Sequence, residues 1–220
     1  MKHPFDLIIF DWDGTLINSI DWIVSSLQWA AQTCSYDPPS NRASRDVIGL
    51  ALHDALGALF PEAGPEAKKQ LTHKYAEHFN SRRLSRGDLF EGIHGMLVTL
   101  KEANYRLALA TGKSRAGLEK ALKETDLVGL FDATRCADET ASKPNPKMLF
   151  QLMSELDAQK NRTLMVGDSV HDIMMAKNAN VASIGVTCGA HDRHTLSHYT
   201  PMACLSNTAD LLEILNQARE

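Results

Sequence analysis

Residues 7–16 read LIIFDWDGTL. Leu7, Ile8, Ile9 and Phe10 form a short continuous apolar run, the pattern of a strand buried within a sheet. The run ends on Asp11 and Asp13, two carboxylates two residues apart, and Gly14 and Thr15 follow at once. Like charges that close repel, so something must compensate: a metal ion, a proton, basic residues from elsewhere in the chain, or water. Gly14 lets the backbone turn away from the strand, and Thr15 helps to fix the loop.

Outward from this segment, apolar runs of the same kind recur at Arg106–Thr111, at 163–166, at Ala182–Val186 and, weakly, at Ala203–Leu205. Residues 95–103 place Met96, Leu97, Leu100 and Ala103 at helical spacing, and 146–156 do so with Leu149, Leu152, Met153 and Leu156. Residues 168–178 and 208–218 read as further helices. Short apolar strands alternating with helices predict an α/β fold, a Rossmann-like parallel sheet covered on both faces. Between about Asn18 and Gly87 the alternation breaks. Ile23, Leu27, Ala30, Ala31 and Cys34 make one amphipathic stripe, 47–60 read as an apolar-rich helix, and 66–79 as a polar one. This block reads as an all-helical cap, residues 18–87, inserted over the carboxyl end of the first strand. The catalytic core is then 1–17 and 88–220, with hinges expected near 16–18 and 85–88.

The chain of 220 residues is long enough to bury a substantial core, and 44% hydrophobic with 23% charged residues suits an ordinary globular protein. A formal net charge of −4 gives no whole-molecule attraction to nucleic acid or to an anionic membrane, while leaving room for a local cationic pocket. Cys34, Cys136, Cys188 and Cys204 are far apart and form no C-x-x-C pair, which predicts reduced thiols. Lys2 and His3 precede an apolar run that Asp11 cuts too short for a signal peptide. No stretch approaches the ~18 apolar residues of a membrane span. The expectation is a cytoplasmic protein, a monomer or weak homodimer, with no nucleic-acid or membrane partner.

In open α/β sheets ligands bind beyond the carboxyl ends of the strands. At those ends stand Asp11 and Asp13, then Thr111-Gly112-Lys113-Ser114, then Gly167-Asp168 with Asp172; Ser142-Lys143-Pro144 precedes a helix between the last two. This constellation resembles the haloacid dehalogenase-like phosphatase superfamily, in the branch with a helical cap between the first two motifs. Asp11-Trp12-Asp13-Gly14-Thr15 matches its D-x-D-G-T, Thr111 its second-motif hydroxyl, Lys143 its third-motif lysine, and Gly167-Asp168 with Asp172 its acidic G-D-x-x-x-D. ATGKSRAGLEKAL (110–122) and ADETASKPNPKML (137–149) look most like phosphoglycolate-phosphatase-type enzymes. The family often carries an aspartate where this chain has Asn18-Ser19.

The resemblance implies a phosphatase that transfers the phosphoryl group of a small phosphorylated metabolite, by default 2-phosphoglycolate, to the nucleophile Asp11. It implies Mg²⁺ held by Asp11, Asp168 and the Asp13 main-chain carbonyl, with Asp172 ligating weakly or through water. Four ionised carboxylates and a phosphate dianion outweigh Mg²⁺ and Lys143 by three charges, so one carboxylate is expected to arrive protonated. Asp13 is the candidate, acting as acid and then as base. The Thr111 hydroxyl, the Gly112 amide and amides around Trp12 would hold the phosphate. Arg42, Arg45 and His53 are the cap cations expected for a substrate carboxylate.

Each residue also has a plainer role: Thr111 and Asp168 could cap the helices that follow them, Trp12 packs beside the site, and His171 occupies a helix surface. His191, His194 and His198 with Asp192 read as a polar loop rather than a zinc site. Rival functions are a β-phosphoglucomutase-like phosphotransferase, separable only by cap residues, and a non-enzymatic aspartyl-phosphate switch.

Overall fold

The computed structural model describes residues 4–217; Lys2, His3 and Ala218, the end of the last expected helix, lie outside them. In chain order the strands are β1 (Leu7–Phe10), β2 (Arg106–Thr111), β3 (Ala133–Cys136), β4 (Thr163–Gly167), β5 (Ala182–Val186) and β6 (Ala203–Leu205). They form one sheet in the order β3-β2-β1-β4-β5-β6, and every pairing is parallel. Leu7 lies opposite Arg106 on one side and Thr163 on the other, and Phe10 opposite Leu109 and Val166. The chain runs outward from β1 through β2 to β3, then returns to β4 on the other side of β1. That reversal opens a crevice at the carboxyl ends of β1 and β4, where such folds bind ligands.

Helices cover both faces. Four form a block inserted after β1: α1 (Ile20–Thr33), α2 (Asn41–Asp46), α3 (Leu52–Leu59) and α4 (Pro65–Asn80). The others are α5 (Ile93–Glu102), α6 (Arg115–Glu124), α7 (Lys147–Glu155), α8 (Val170–Ala179), α9 (Arg193–Ser197) and α10 (Leu211–Gln217). Alternation along β1 divides the sheet's core: Ile8 and Phe10 join the cluster under α5 and α10, while Leu7 and Ile9 join the one under α7 and α8. The inserted helices bury a third cluster of their own, built on Ile20, Ile23, Val24, Leu27 and Ala30 of α1. The His78 ring of α4 stacks on Trp22 and Trp29, at 4.6 and 5.1 Å between centroids. No helix among the described residues is long and apolar enough to cross a membrane.

The structure departs from expectation in places. β3 was not anticipated: it is a short edge strand, ATRC, buried only at its ends. The helix expected over 47–60 is confined to α3, because Gly49 at φ +98° turns the chain within 47–51. The expected polar loop after His191 contains the short helix α9, capped by Asp192.

The two strand-like linkers that join the inserted helices to the sheet lie side by side. Ile17 bridges to Leu89, the Asn18 amide donates to the Asp88 carbonyl at 2.9 Å, and the Phe90 amide donates to the Leu16 carbonyl at 3.1 Å.

Candidate active site

The end of β1 delivers Asp11 to the crevice, its amide anchored on the Val166 carbonyl at 3.0 Å. Asp168 follows β4, and Asp172 sits in the first turn of α8. Each of the three offers a carboxylate oxygen within 4.8 Å of the other two, and all three residues are buried. The fully buried Lys143 places Nζ 2.8 Å from Asp11 Oδ1 and 2.7 Å from Asp172 Oδ1. These are ion-pair distances, but the contacts are off hydrogen-bonding angle.

Neutral donors hold the rest. The Trp12 amide donates to Asp11 Oδ1, while the Thr15 hydroxyl and the Ala190 amide donate to the two oxygens of Asp168. Ser169 donates from both amide and hydroxyl to Asp172 Oδ2, the reciprocal capping box of α8. Ser169, not Asp168, is therefore the cap. Gly14 stands at φ +75°, and a Cβ there would fall 2.1 Å from Asp168 Oδ2, so both conformation and space require glycine.

One ammonium cannot neutralise three buried carboxylates. Burial, then repulsion from Asp172 and Asp168, pushes Asp11 well above the usual carboxylate range against the pull of Lys143. Asp168 is pushed up to about 7 by burial and by Asp172. Burial works against the charge of Lys143, but Asp11 and Asp172 outweigh it and raise its pKa. Asp11 Oδ2 is buried with no hydrogen-bond partner. An all-oxygen donor set, excess negative charge and an orphan oxygen fit a hard divalent cation.

Asp13 points elsewhere. Its carboxylate accepts the Ser19 hydroxyl at 2.7 Å and the Lys113 ammonium at 3.0 and 3.1 Å. Lys113 in turn lies 4.6 Å from the ring centroid of Phe79 on α4. Lys113 was missing from the sequence-derived charge count; it cuts the deficit from three to two, on the carboxylate chosen to carry the proton. Its place two residues after Thr111 on the same strand-end loop was the available signal.

Asp11 and Asp13 open onto a cavity of about 550 Å³ between the inserted helices and α6. Gly112 lines it; a Cβ at Gly112 would fall 2.4 Å from the Leu50 carbonyl oxygen, so the 47–51 turn presses directly on this backbone. Thr111 is buried, and its hydroxyl accepts the Lys113 amide at 3.2 Å. Ser114, rather than Thr111, caps α6. The Trp12 ring is packed into the sheet's core, away from the cavity lining.

Arg42, Arg45 and His53 do not line the cavity: Arg42 and His53 are exposed, and Arg45 pairs with Asp21 and donates to the Gly189 carbonyl. The cations that line it are Lys113, Lys120 and Arg82. His171 lies on α8 and contacts the Asp46 carbonyl at 2.8 Å. His191 is buried and accepts the Val170 amide, whereas the ring of His194 on α9 meets that of His198 just beyond it. Among the described residues the histidines form no metal-binding group, and the four cysteines are free.

The sequence profile described as haloacid dehalogenase-like hydrolase matches residues 8–186. "Probable phosphatase IndB" of Dickeya dadantii is 36% identical over 212 residues, covering 94% of this chain and 91% of its own. "Pyrophosphatase PpaX" of Halalkalibacterium halodurans is 32% identical over 209 residues, covering 94% and 95%. Among solved structures, a β-phosphoglucomutase from Clostridium difficile superposes with a TM-score of 0.85 at 17% identity, covering 97% of this chain and 96% of that one.

Proposed function

The chain belongs to the haloacid dehalogenase-like hydrolases, and on that premise we propose that it is a Mg²⁺-dependent phosphatase of small phosphorylated metabolites that works through a phosphorylated Asp11. One observation carries the reading: Asp11 alone joins the buried carboxylate cluster to the cavity, and its Oδ2 has no hydrogen-bond partner. In this reading residues 18–87 are the cap that closes over substrate, and the protein acts in the cytoplasm as a monomer or weak homodimer.

The Asp11 carboxylate attacks phosphorus in line with the leaving alcohol; the new O–P bond forms as the ester O–P bond breaks. Asp13, on the cavity side of the same loop, gives the leaving oxygen its proton. It then takes one from the water that cleaves the acyl-phosphate and releases inorganic phosphate. Lys143 holds Asp11 in place and balances charge, and the Gly112 amide, the Thr111 hydroxyl and the Asp13 amide bind the phosphate oxygens, the Trp12 amide being spent on Asp11. Asp11, Asp168, Asp172 and the Asp13 carbonyl would hold Mg²⁺, which when bound supplies positive charge to phosphate and carboxylates alike.

The test is turnover of p-nitrophenyl phosphate with Mg²⁺. Chelation and Asp11→Asn should each abolish it, the substitution by about 10⁴-fold or more, and mass spectrometry should find phosphate on Asp11. Failure to hydrolyse any monoester would sink the proposal. Sugar bisphosphate formation would mark a phosphotransferase instead, and phosphorylated Asp11 without phosphate release a switch.

A further inference from the structure

The expectation of phosphoglycolate needed a cationic cap, and the cavity has a different character. Its floor is Asp11 and Asp13, and its walls include Ile23, Leu27, Val47, Leu52, Tyr75 and Phe79. Tyr75 and Phe79 stack with their rings 13° from parallel and 5.5 Å apart, on successive turns of α4. The cations there are largely engaged: Lys113 with Asp13, and Arg82 with Asp88. Lys120, exposed on α6, has no ion pair among the described residues, and it stands about two helical turns beyond Lys113.

A second small anion beside the phosphate, such as a carboxylate or another phosphoryl group, would meet hydrocarbon walls and a lysine already shared between two Asp13 oxygens.

We propose that the substrate is the phosphate monoester of an alcohol with a sizeable, largely apolar or aromatic body, seated between α1, α3, α4 and α6. The inference rests on the phosphatase reading of this cavity and names the class of compound it takes. The phosphate sits over Asp11, the body lies against Tyr75 and Phe79, and any polar group at its far end faces Lys120.

The test uses ethyl, butyl, hexyl and 2-phenylethyl phosphates, whose primary alcohols share one leaving-group chemistry. The rate then reports the body and not the bond broken. kcat/KM should rise about threefold to fourfold per methylene, or about 80- to 250-fold from ethyl to hexyl, with 2-phenylethyl phosphate near the top and 2-phosphoglycolate and pyrophosphate below hexyl phosphate. Ala76→Phe, which fills cavity space from α4, should shrink the hexyl-to-ethyl ratio to within about twofold. A flat series, preference for either small polyanion, or an unchanged ratio in the variant would each overturn the inference and leave the phosphatase reading standing.

Ethyl- and hexylphosphonate keep the test independent of turnover. Their binding, followed by tryptophan fluorescence, should differ by about 80- to 250-fold in favour of hexyl. Equal affinity overturns the inference even in a protein that hydrolyses nothing.

Discussion

Asp11 and Asp13 leave one loop toward two lysines: Lys143 meets Asp11 in a dry cluster, and Lys113 meets Asp13 at the cavity wall with side chains 10% and 13% exposed. If Lys113 orients the acid/base, its loss should matter most where the leaving group needs a proton. Lys113→Met is expected to lower kcat on an alkyl phosphate by about 10²-fold and on p-nitrophenyl phosphate by less than about threefold. Equal losses on both would show that the lysine serves binding or folding alone. The other cluster makes a prediction about pH. Asp168, ordinarily near 3.8, titrates at about 7 in the fold, and Asp11 is raised as well. From about pH 4 to 7 the unfolded chain therefore binds fewer protons than the folded one. The metal-free protein loses stability across that window, on the order of a few kcal/mol. A cation held by the same carboxylates opposes the loss. Thermal melts of stripped protein should give a lower Tm at pH 8 than at pH 5, and a larger Mg²⁺-induced rise at pH 8. An equal rise at both would remove these carboxylates as ligands.

Among the inserted elements, the 47–51 turn between α2 and α3 reaches the loop that follows β2. It abuts Gly112 through the Leu50 carbonyl, while the Ala51 amide donates to Ser142 beside Lys143 at 2.9 Å. Gly112→Ala keeps the amide but drives a methyl into that carbonyl, an overpacking worth about 1–3 kcal/mol if the turn must retreat. It should cut kcat/KM by about tenfold and speed hydrogen exchange across 47–51, while leaving the Mg²⁺-induced Tm shift as it was. Unchanged exchange and turnover together would show that the contact is incidental. This turn also shows where a sequence stops being legible. The strands beside the crevice announce themselves, because parallel strands buried on both faces are written as unbroken apolar runs; β1, β2, β4 and β5 were all visible. The edge strand β3 carries Thr134 and Arg135 at its centre, and α2 is NRASRD, polar but for Ala43, so neither has the periodicity that betrays an element. The buried carboxylates and Lys143 were legible as motifs at strand ends. The cap cations were not: an arginine on a short polar helix gives no sign of the way it points, and Arg45 points to Asp21.

Among the described residues the buried apolar side chains fall into three clusters, two against the faces of the sheet and one within α1–α4. The third adjoins the crevice through a few polar contacts, such as His171 with the Asp46 carbonyl and Arg45 with the Gly189 carbonyl, and through the paired linkers at Ile17 and Leu89. A unit with its own core and a polar seam can open while the sheet stays intact, at a free energy below that of global unfolding. A cavity between the two gives such opening a use, since substrate must enter and bulk water must then be excluded. The amides of α3 and the 47–51 turn, next to the seam, should therefore exchange through openings cheaper than those exposing β1 and β4. Mg²⁺ with orthovanadate, an oxyanion of phosphate-like charge, should bind where Asp11 and Gly112 line the cavity and hold the inserted helices closed over it. It should slow exchange at 47–51 by about tenfold or more, and the slowest strand amides, whose global opening also releases the anion, should slow by no more than the same factor. Native-state hydrogen exchange read by mass spectrometry separates the cases: equal exchange free energies at 47–51 and in β1 and β4 of the free protein would mean one cooperative unit with no private motion of the inserted helices, and no slowing at 47–51 would mean that they do not close over the anion.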